Sequence, residues 1–194
     1  MDLREPEQFP HQYKADLLRA LETLDFSKID ALIRSLREAR EAQRSIFVCG
    51  NGGSASTASH FVCDMVKGAS FQRDVRFRIM ALTDSLPTLT AYSNDVSYEC
   101  VFAEQLKNFA RPEDVVIAIS GSGNSPNVLR ALEYGNSIGC MTVALTGRDG
   151  GKLGPLAKLH LNVANPHMGR IEDVHMVVMH MVSYYFMETD GGCR

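Results

Sequence analysis

Apolar residues recur at helical spacing in the first quarter of the chain. Leucines between residues 17 and 24, and aliphatic residues between 29 and 36, stand three or four positions apart, with charged residues between them. This repeat is typical of amphipathic helices, so we predict two helices within residues 11 to 44, joined near Asp25 to Lys28. Their apolar faces have no evident partner in the chain. We therefore expect Leu17, Leu21 and Leu24 to pack against another copy of the protein.

After residue 44 the pattern changes to five short apolar runs. They are SIFVCG (45 to 50), FRIMAL (77 to 82), DVVIAIS (114 to 120), MTVALTG (141 to 147) and LHLNVA (159 to 164). Each has the length and the continuous apolar character of a strand that is buried on both faces.

Helical patterns separate these runs. They cover Ser54 to Lys67, about Pro87 to Ala91, Val96 to Phe109, Pro126 to Gly135, and about Ile171 to Glu188. Alternating strands and helices indicate an α/β protein, a doubly wound sandwich with a five-stranded parallel sheet. We expect one domain over residues 1–194, with the helical pair in 1–44, the α/β core in 45–188 and a frayed tail, TDGGCR.

Composition then excludes several classes of protein. The chain has 194 residues, 45% of them hydrophobic, which suits a sizeable core. A formal net charge of −3 argues against a nucleic-acid partner, and no apolar run has the ~18 residues of a membrane span. The N-terminus lacks the pattern of a signal peptide. The five cysteines form no C-x-x-C pair, so we expect reduced thiols and a cytoplasmic location.

Two loops rich in glycine and serine follow predicted strands in equivalent positions. CGNGGSAS ends the first run and SGSGNSPN ends the third, and each leads into a predicted helix. Such loops bind anions beyond the carboxyl ends of parallel strands, so we expect a phosphate site. The loops match neither the dinucleotide fingerprint nor the P-loop. Asp84, near the end of the second strand, keeps a nucleotide as an alternative, and ordinary strand-to-helix loops share this composition.

Histidines and carboxylates occur at helical spacing on two predicted helices. His60 and Asp64 are four residues apart and share a helix face. Glu172 and His180 are eight apart, and point in directions that differ by about 80°. Two histidines and two carboxylates suit zinc or a similar divalent ion. Other candidate ligands on neighbouring faces are Cys63, Asp173 and His175.

Several motifs, taken in order, resemble those of the sugar isomerase (SIS) domain family, and within it those of the bacterial phosphoheptose isomerases. They are GNGGSAS…ASHF, SND, AISGSGNSPNVLRAL, VALTGRDGGKL and RIEDVHMVVMH, and the resemblance runs from about residue 10 to 188. These enzymes interconvert sedoheptulose 7-phosphate and D-glycero-D-manno-heptose 7-phosphate through an enediol. The resemblance implies the SIS fold, a homotetramer and one zinc ion per subunit.

The resemblance also implies roles for individual residues. Substrate contact is expected from Asn51, Gly52, Gly53, Ser54, Asn94 and Asp95, and phosphate contact from Ser120, Gly121, Ser122 and Ser125. The metal would be bound by His60, Asp64, Glu172 and His180. Proton transfer would fall to Asp64, Glu172 and His180.

Four positions depart from the family pattern. Asp64 replaces a glutamate, Glu172 a glutamine, Gly121 a usual threonine and Gly68 a common arginine. Asp64 is shorter than glutamate by one methylene, or roughly 1.5 Å. A carboxylate shortened on one helix and one gained on another suggest compensation, in which Glu172 is a ligand or the base. The alternative is a non-catalytic SIS protein that binds a phosphosugar or a protein partner.

Overall fold

The computed structural model describes residues 6–189. The helices are α1 (Phe9–Leu21), α2 (Phe26–Glu41), α3 (Gly53–Cys63), α4 (Leu86–Asp95), α5 (Val101–Phe109), α6 (Pro126–Ser137), α7 (Leu153–Leu156) and α8 (Met168–Thr189). The strands are β1 (Ser45–Gly50), β2 (Arg78–Ala81), β3 (Val115–Ser120), β4 (Met141–Gly147) and β5 (Leu159–Val163). A π-helical turn, Asp64–Gly68, continues α3, and a 3₁₀ turn, Tyr98–Cys100, precedes α5.

The five strands form one parallel sheet in the order β2-β1-β3-β4-β5. Alternate residues of β3 face opposite sides, with Ile117 in one core and Val116 in the other. Helices α1, α2, α3 and α8 contribute to the first core, and α5, α6 and α7 to the second. The predicted doubly wound α/β sandwich is therefore confirmed. The strand order reverses between β1 and β3, which is where open α/β sheets bind ligands.

The N-terminal helical pair packs on the protein's own core. Leu32 and Leu36 of α2 are fully buried and Leu24 is 8% exposed, while Leu17 and Leu21 are partly buried against the same cluster. The expectation that Leu24 needs a second copy is therefore wrong. For Leu17 and Leu21, which keep some exposed surface, contact with another copy stays a prediction. Within the chain, the partner of the pair is α8 together with one face of the sheet, which are distant in sequence.

Some element bounds differ from the predicted ones. Helix α4 runs on to Asp95, and the helix predicted from Val96 begins as the 3₁₀ turn at Tyr98. Helix α7 was not predicted, because its four residues, LGPL, include a glycine and a proline. Of the predicted frayed tail, Thr189 ends α8 and the remaining residues lie outside those described. The division of the domain at residue 44 stays a prediction.

The structure also bears on two expectations, that the chain has no membrane span and that its cysteines are reduced. Within residues 6–189, no helix combines the length and apolar character that a membrane crossing requires. The cysteines of this part of the chain, Cys49, Cys63, Cys100 and Cys140, are free thiols.

Candidate active site

The glycine turn, residues 50–53, follows β1 and leads into α3. Gly52 has φ +54°, a left-handed conformation that favours glycine. A Cβ on Gly50 would lie 2.8 Å from the Ser54 backbone and side chain, so the turn folds back tightly on the first turn of α3. Asn51 is the one residue of this turn with a polar side chain.

The serine loop, residues 120–125, follows the neighbouring strand β3. The Ser120 hydroxyl lies 3.2 Å from that of Ser125 and 3.4 Å from that of Ser122. Ser125 is also the residue before the first turn of α6, where backbone N–H groups are free to bind an anion. Three hydroxyls that converge at a helix N-terminus can bind a phosphate group.

The first turn of α8 lies over both loops. A Cβ on Gly121 would lie 2.5 Å from the Met168 sulfur, so Met168 occupies the space that a threonine would need. A Cβ on Gly53 would lie 2.5 Å from the Glu172 carboxylate. The absence of a side chain at Gly53 therefore lets this carboxylate approach the positive N-terminus of α3.

Two turns further along the same helices, three potential metal ligands converge. The Nε2 atoms of His60 and His180 are 3.0 Å apart, and Asp64 Oδ2 lies 3.5 Å from the first and 3.8 Å from the second. Ligand atoms placed tetrahedrally around zinc, at roughly 2.0–2.2 Å, lie about 3.3 Å from one another. The donor set and its spacing therefore fit a divalent ion with a fourth position open.

Asp64 reaches this group despite its short side chain. It begins the π-helical turn, a feature that often occurs at functional sites. The buried Ser183 hydroxyl donates to Asp64 Oδ2 at 3.3 Å. The side chains of His60 and His180 are 49% and 41% exposed, and that of Asp64 is 21% exposed. The three potential ligands are thus supported by a hydrogen bond from the buried Ser183, and a small molecule can reach them from solvent.

Glu172 is not part of this group. Among residues 6–189, the convergent ligand atoms come from His60, Asp64 and His180, while the Glu172 carboxylate lies against Gly53. Residues 172 and 180 point in similar directions, but eight residues also advance a helix by about 12 Å. That axial rise separates the two side chains.

The other candidate ligands have different environments. His175 is buried and donates from Nε2 to the Thr146 carbonyl at 3.0 Å, and burial lowers its pKa to about 4. Asp173 accepts a hydrogen bond of 2.6 Å from the Tyr13 hydroxyl. Cys63 is an exposed thiol outside the group. These residues are held away from the ligand atoms.

The remaining predicted substrate contacts lie at the end of α4. Asn94 and Asp95 are exposed, and the Asn94 amide donates to the Asp95 carboxylate at 2.8 Å. Ser54 is buried at the start of α3. Asp84, which supported a nucleotide as the alternative ligand, accepts a hydrogen bond from the Ser59 hydroxyl.

Three polar residues near the site were missed by sequence reasoning. Asn127 bonds to the Asn51 side chain, Tyr98 donates to the same side chain, and Ser183 supports Asp64. Asn127 lies within the SGSGNSPN motif and Ser183 is three residues after His180, so both had a local signal. Tyr98 had none.

The doubly wound sheet, with its glycine turn and serine loop where the strand order reverses, agrees with the predicted sugar isomerase domain. The family model of the SIS domain matches residues 9–147. The chain is 40% identical over 181 residues to a phosphoheptose isomerase of Helicobacter pylori strain P12, covering 93% of this chain and 92% of the relative. It is 38% identical over 172 residues to a probable phosphoheptose isomerase of Thermoplasma volcanium, covering 86% and 87%.

Solved structures agree. A phosphoheptose isomerase from Neisseria gonorrhoeae superposes with a TM-score of 0.86 at 30% identity, covering 94% of this chain and 98% of that one. One from Francisella tularensis shares the fold with a TM-score of 0.89 at 24% identity, covering 95% and 100%. The chain therefore belongs to the phosphoheptose isomerase family, as its motifs predicted.

Proposed function

We propose that the protein is an aldose-ketose isomerase that interconverts sedoheptulose 7-phosphate and D-glycero-D-manno-heptose 7-phosphate. Its relatives named phosphoheptose isomerase support this activity over most of the chain. The structural observation that carries the proposal is the distance along α3 from the glycine turn to the His60–Asp64–His180 group. The Asn51 side chain joins this turn to Asn127, directly after the serine loop.

This separation suits a seven-carbon substrate. Helices α3 and α8 run in the same direction, since Gly53 faces Glu172 and His60 faces His180. Seven residues separate Gly53 from His60, a rise of about 10 Å. The substrate carries phosphate on its seventh carbon and reacts at its first and second. An extended sugar of this length can place its phosphate at the serine loop and its carbonyl near the histidines.

The serine loop would bind the phosphate with the hydroxyls of Ser120, Ser122 and Ser125 and with backbone N–H groups of the loop and of α6, including that of Gly121. The glycine turn, residues 50–53, and Ser54 would contact the sugar chain. Asn94 and Asp95 would bind its hydroxyl groups. Hydrogen bonds from neutral hydroxyls and N–H groups suit a dianion, because every donor is fixed by the fold before the substrate arrives.

The reaction moves a proton between two adjacent carbons. A base removes the proton from the hydroxyl-bearing carbon beside the carbonyl, and the carbonyl oxygen gains a proton, which gives an enediol. The neighbouring hydroxyl then loses its proton and becomes the new carbonyl, while a proton is added to the former carbonyl carbon.

We assign these proton transfers to Asp64 and His180, which would lie at the level of the reacting carbons. Glu172, the third residue expected to transfer protons, lies about 12 Å along α8 from His180, so its part in turnover would be to hold the sugar chain. When bound, a zinc ion held by His60, Asp64 and His180 would stabilise the developing oxyanion. Glu172, at the glycine turn, would act on the substrate instead of binding the ion.

We also infer one zinc ion per subunit, a cytoplasmic location and a homotetramer. The open three-ligand group supports the metal, and the free thiols support a reducing compartment. Large apolar side chains on the surface of one chain support assembly: Phe71, Leu86, Val96 and Phe109 are each more than half exposed. Phe9, Leu18 and Phe26 of the helical pair are exposed to a similar extent, so we expect other subunits to cover part of this pair as well.

An isomerisation assay in deuterated buffer tests the proposal. Zinc-loaded protein should convert sedoheptulose 7-phosphate to the aldose, with solvent deuterium appearing at the reacting carbon by NMR. His180→Ala should lose both turnover and stoichiometric zinc, whereas His11→Ala, on the exposed face of α1, should keep both. A wild-type protein that binds the phosphosugar without turnover would identify a sensor. Wild-type zinc content in His180→Ala would contradict the ligand assignment.

A further inference from the structure

We propose that Asn127 and Tyr98 are positioning residues that act through Asn51 to align the three substrate-contacting segments. These segments are the glycine turn, the serine loop and the end of α4. The inference rests on the proposed function for its kinetic test, and it adds two residues outside the expected substrate contacts.

The first connection joins the two loops across the ligand crevice. Asn51 Nδ2 donates to Asn127 Oδ1 at 2.8 Å, and Asn127 Nδ2 donates back to Asn51 Oδ1 at 2.9 Å. Asn127 is 1% exposed and lies in the first turn of α6, immediately after the serine loop. The Val128 N–H donates to its Oδ1 as well. This reciprocal pair bridges the ends of β1 and β3, where the strand order reverses.

The second connection brings in the end of α4. The Tyr98 hydroxyl donates to Asn51 Oδ1 at 2.8 Å. Tyr98 follows Asn94 and Asp95 by only a few residues, so a bond to its side chain holds the position of their segment. An amide oxygen accepts two hydrogen bonds, and Asn51 Oδ1 receives both. One N–H of the Asn51 amide remains for a substrate hydroxyl.

This Asn51 junction, formed by Asn51, Asn127 and Tyr98, affects alignment more than stability. Tyr98 is 55% exposed, and a hydrogen bond at an exposed site contributes little to the free energy of folding. Its orientation nevertheless fixes the one polar side chain of the glycine turn. A displacement of about 1 Å in an active site can lower the rate by roughly 10²-fold. The junction thus sets the distance between phosphate and hydroxyl contacts before the substrate binds.

Two substitutions break the junction without changing side-chain size. Tyr98→Phe removes one donor, and Asn127→Asp places a carboxylate oxygen against Asn51 Oδ1, where two acceptors repel. Matched controls are Tyr134→Phe, on α6, and Asn136→Asp. Asn136 lies at the far end of α6, where its amide bonds to the Leu156 carbonyl and the Thr142 hydroxyl.

The measurement is kcat and KM for sedoheptulose 7-phosphate, with inorganic phosphate as a competitive inhibitor. We expect kcat to fall about 10-fold in each single variant. In the double variant, the loss of kcat should be smaller than the product of the two single losses. The inhibition constant for phosphate should stay within about twofold for Tyr98→Phe, because the serine loop is intact in that variant. Both controls should keep wild-type kcat. Unchanged kcat in folded Tyr98→Phe and Asn127→Asp would overturn the proposal.

Amide hydrogen exchange separates this inference from the proposed function. In both variants we expect faster exchange in residues 51–54 and 94–98, and slow exchange as in the wild type around Asn136. If the wild type has no turnover, the proposed activity fails, and exchange alone decides the junction. Unaltered exchange in both segments would then refute it.

Discussion

The two carboxylates that depart from the family pattern should behave independently. Asp64→Glu and Glu172→Gln restore the family residues, separately or together. Glu172 lies against Gly53 and outside the His60–Asp64–His180 group, about 12 Å along α8 from the level of His180. Substitutions more than 7–10 Å apart without shared partners usually add within about 0.5 kcal/mol. We therefore expect a coupling free energy for zinc binding below that value, or about twofold in Kd.

The single substitutions should have different effects. Asp64→Glu moves the carboxylate by roughly 1.5 Å and away from the Ser183 hydroxyl that donates to it. Loss of such a supporting hydrogen bond weakens metal binding about 10-fold or more. Glu172→Gln keeps the shape of the side chain and removes its charge, so zinc affinity should change less than about twofold. Its effect should be on turnover instead.

Competition with a chromogenic chelator measures zinc Kd for all four proteins. Glu188→Gln, which removes an exposed charge near the end of α8, is the control for charge alone. If the two carboxylates shared one ion, their coupling would be on the order of 1–3 kcal/mol, or 5- to 150-fold in Kd. A coupling of that size would show that Glu172 is a ligand and refute the separation described above.

Three further predictions follow from single features. Burial lowers the pKa of His175 to about 4, so protonation of this residue favours the unfolded chain. The stability that neutral His175 contributes is therefore fully present above pH ~6.5 and is lost as the pH falls toward 4. About 2 kcal/mol of unfolding free energy should disappear between pH 7 and 5, and His175→Gln should lack this loss in urea titrations with chelator. Gly53→Ala should lower kcat/KM about 10-fold, because the added methyl would lie 2.5 Å from the Glu172 carboxylate and displace it. Wild-type kinetics in this variant would show that the approach of Glu172 to Gly53 is unimportant. Light scattering at micromolar concentration should give a tetramer, and a monomer would contradict the proposed assembly.

Much of the fold could be predicted because the three central strands, β1, β3 and β4, are buried on both faces. The edge strands β2 and β5 are only partly buried, so the expectation of burial on both faces is wrong for them. Predicted bounds for β1 and β4 coincide with the observed ones, Ser45–Gly50 and Met141–Gly147, since a continuous apolar run ends where the chain leaves the core. The partner of the helical pair could not be predicted. Leu32 packs in the same cluster as Val178 of α8, and no local pattern reports a contact between residues so distant in sequence.

The site was predictable where its geometry is local. His60 and Asp64 converge because they are four residues apart, on α3 and at the start of the π-helical turn that continues it. Glu172 was wrongly included among the expected ligands, because the prediction compared only the directions of residues 172 and 180 around the helix axis. It did not consider the distance between them along the axis. Tyr98 and Asn51 are far apart in sequence and meet only through packing, so the junction required the tertiary structure.

The central claim is that this chain isomerises a phosphosugar whose length spans the distance from the serine loop to the His60–Asp64–His180 group. The most direct test is kcat/KM of the zinc-loaded protein for sedoheptulose 7-phosphate and for a five-carbon ketose 5-phosphate under identical conditions. We expect the seven-carbon substrate to be preferred at least 100-fold, because the shorter sugar cannot place its phosphate and its carbonyl together. Equal turnover of the two sugars, or turnover of neither, would contradict the account.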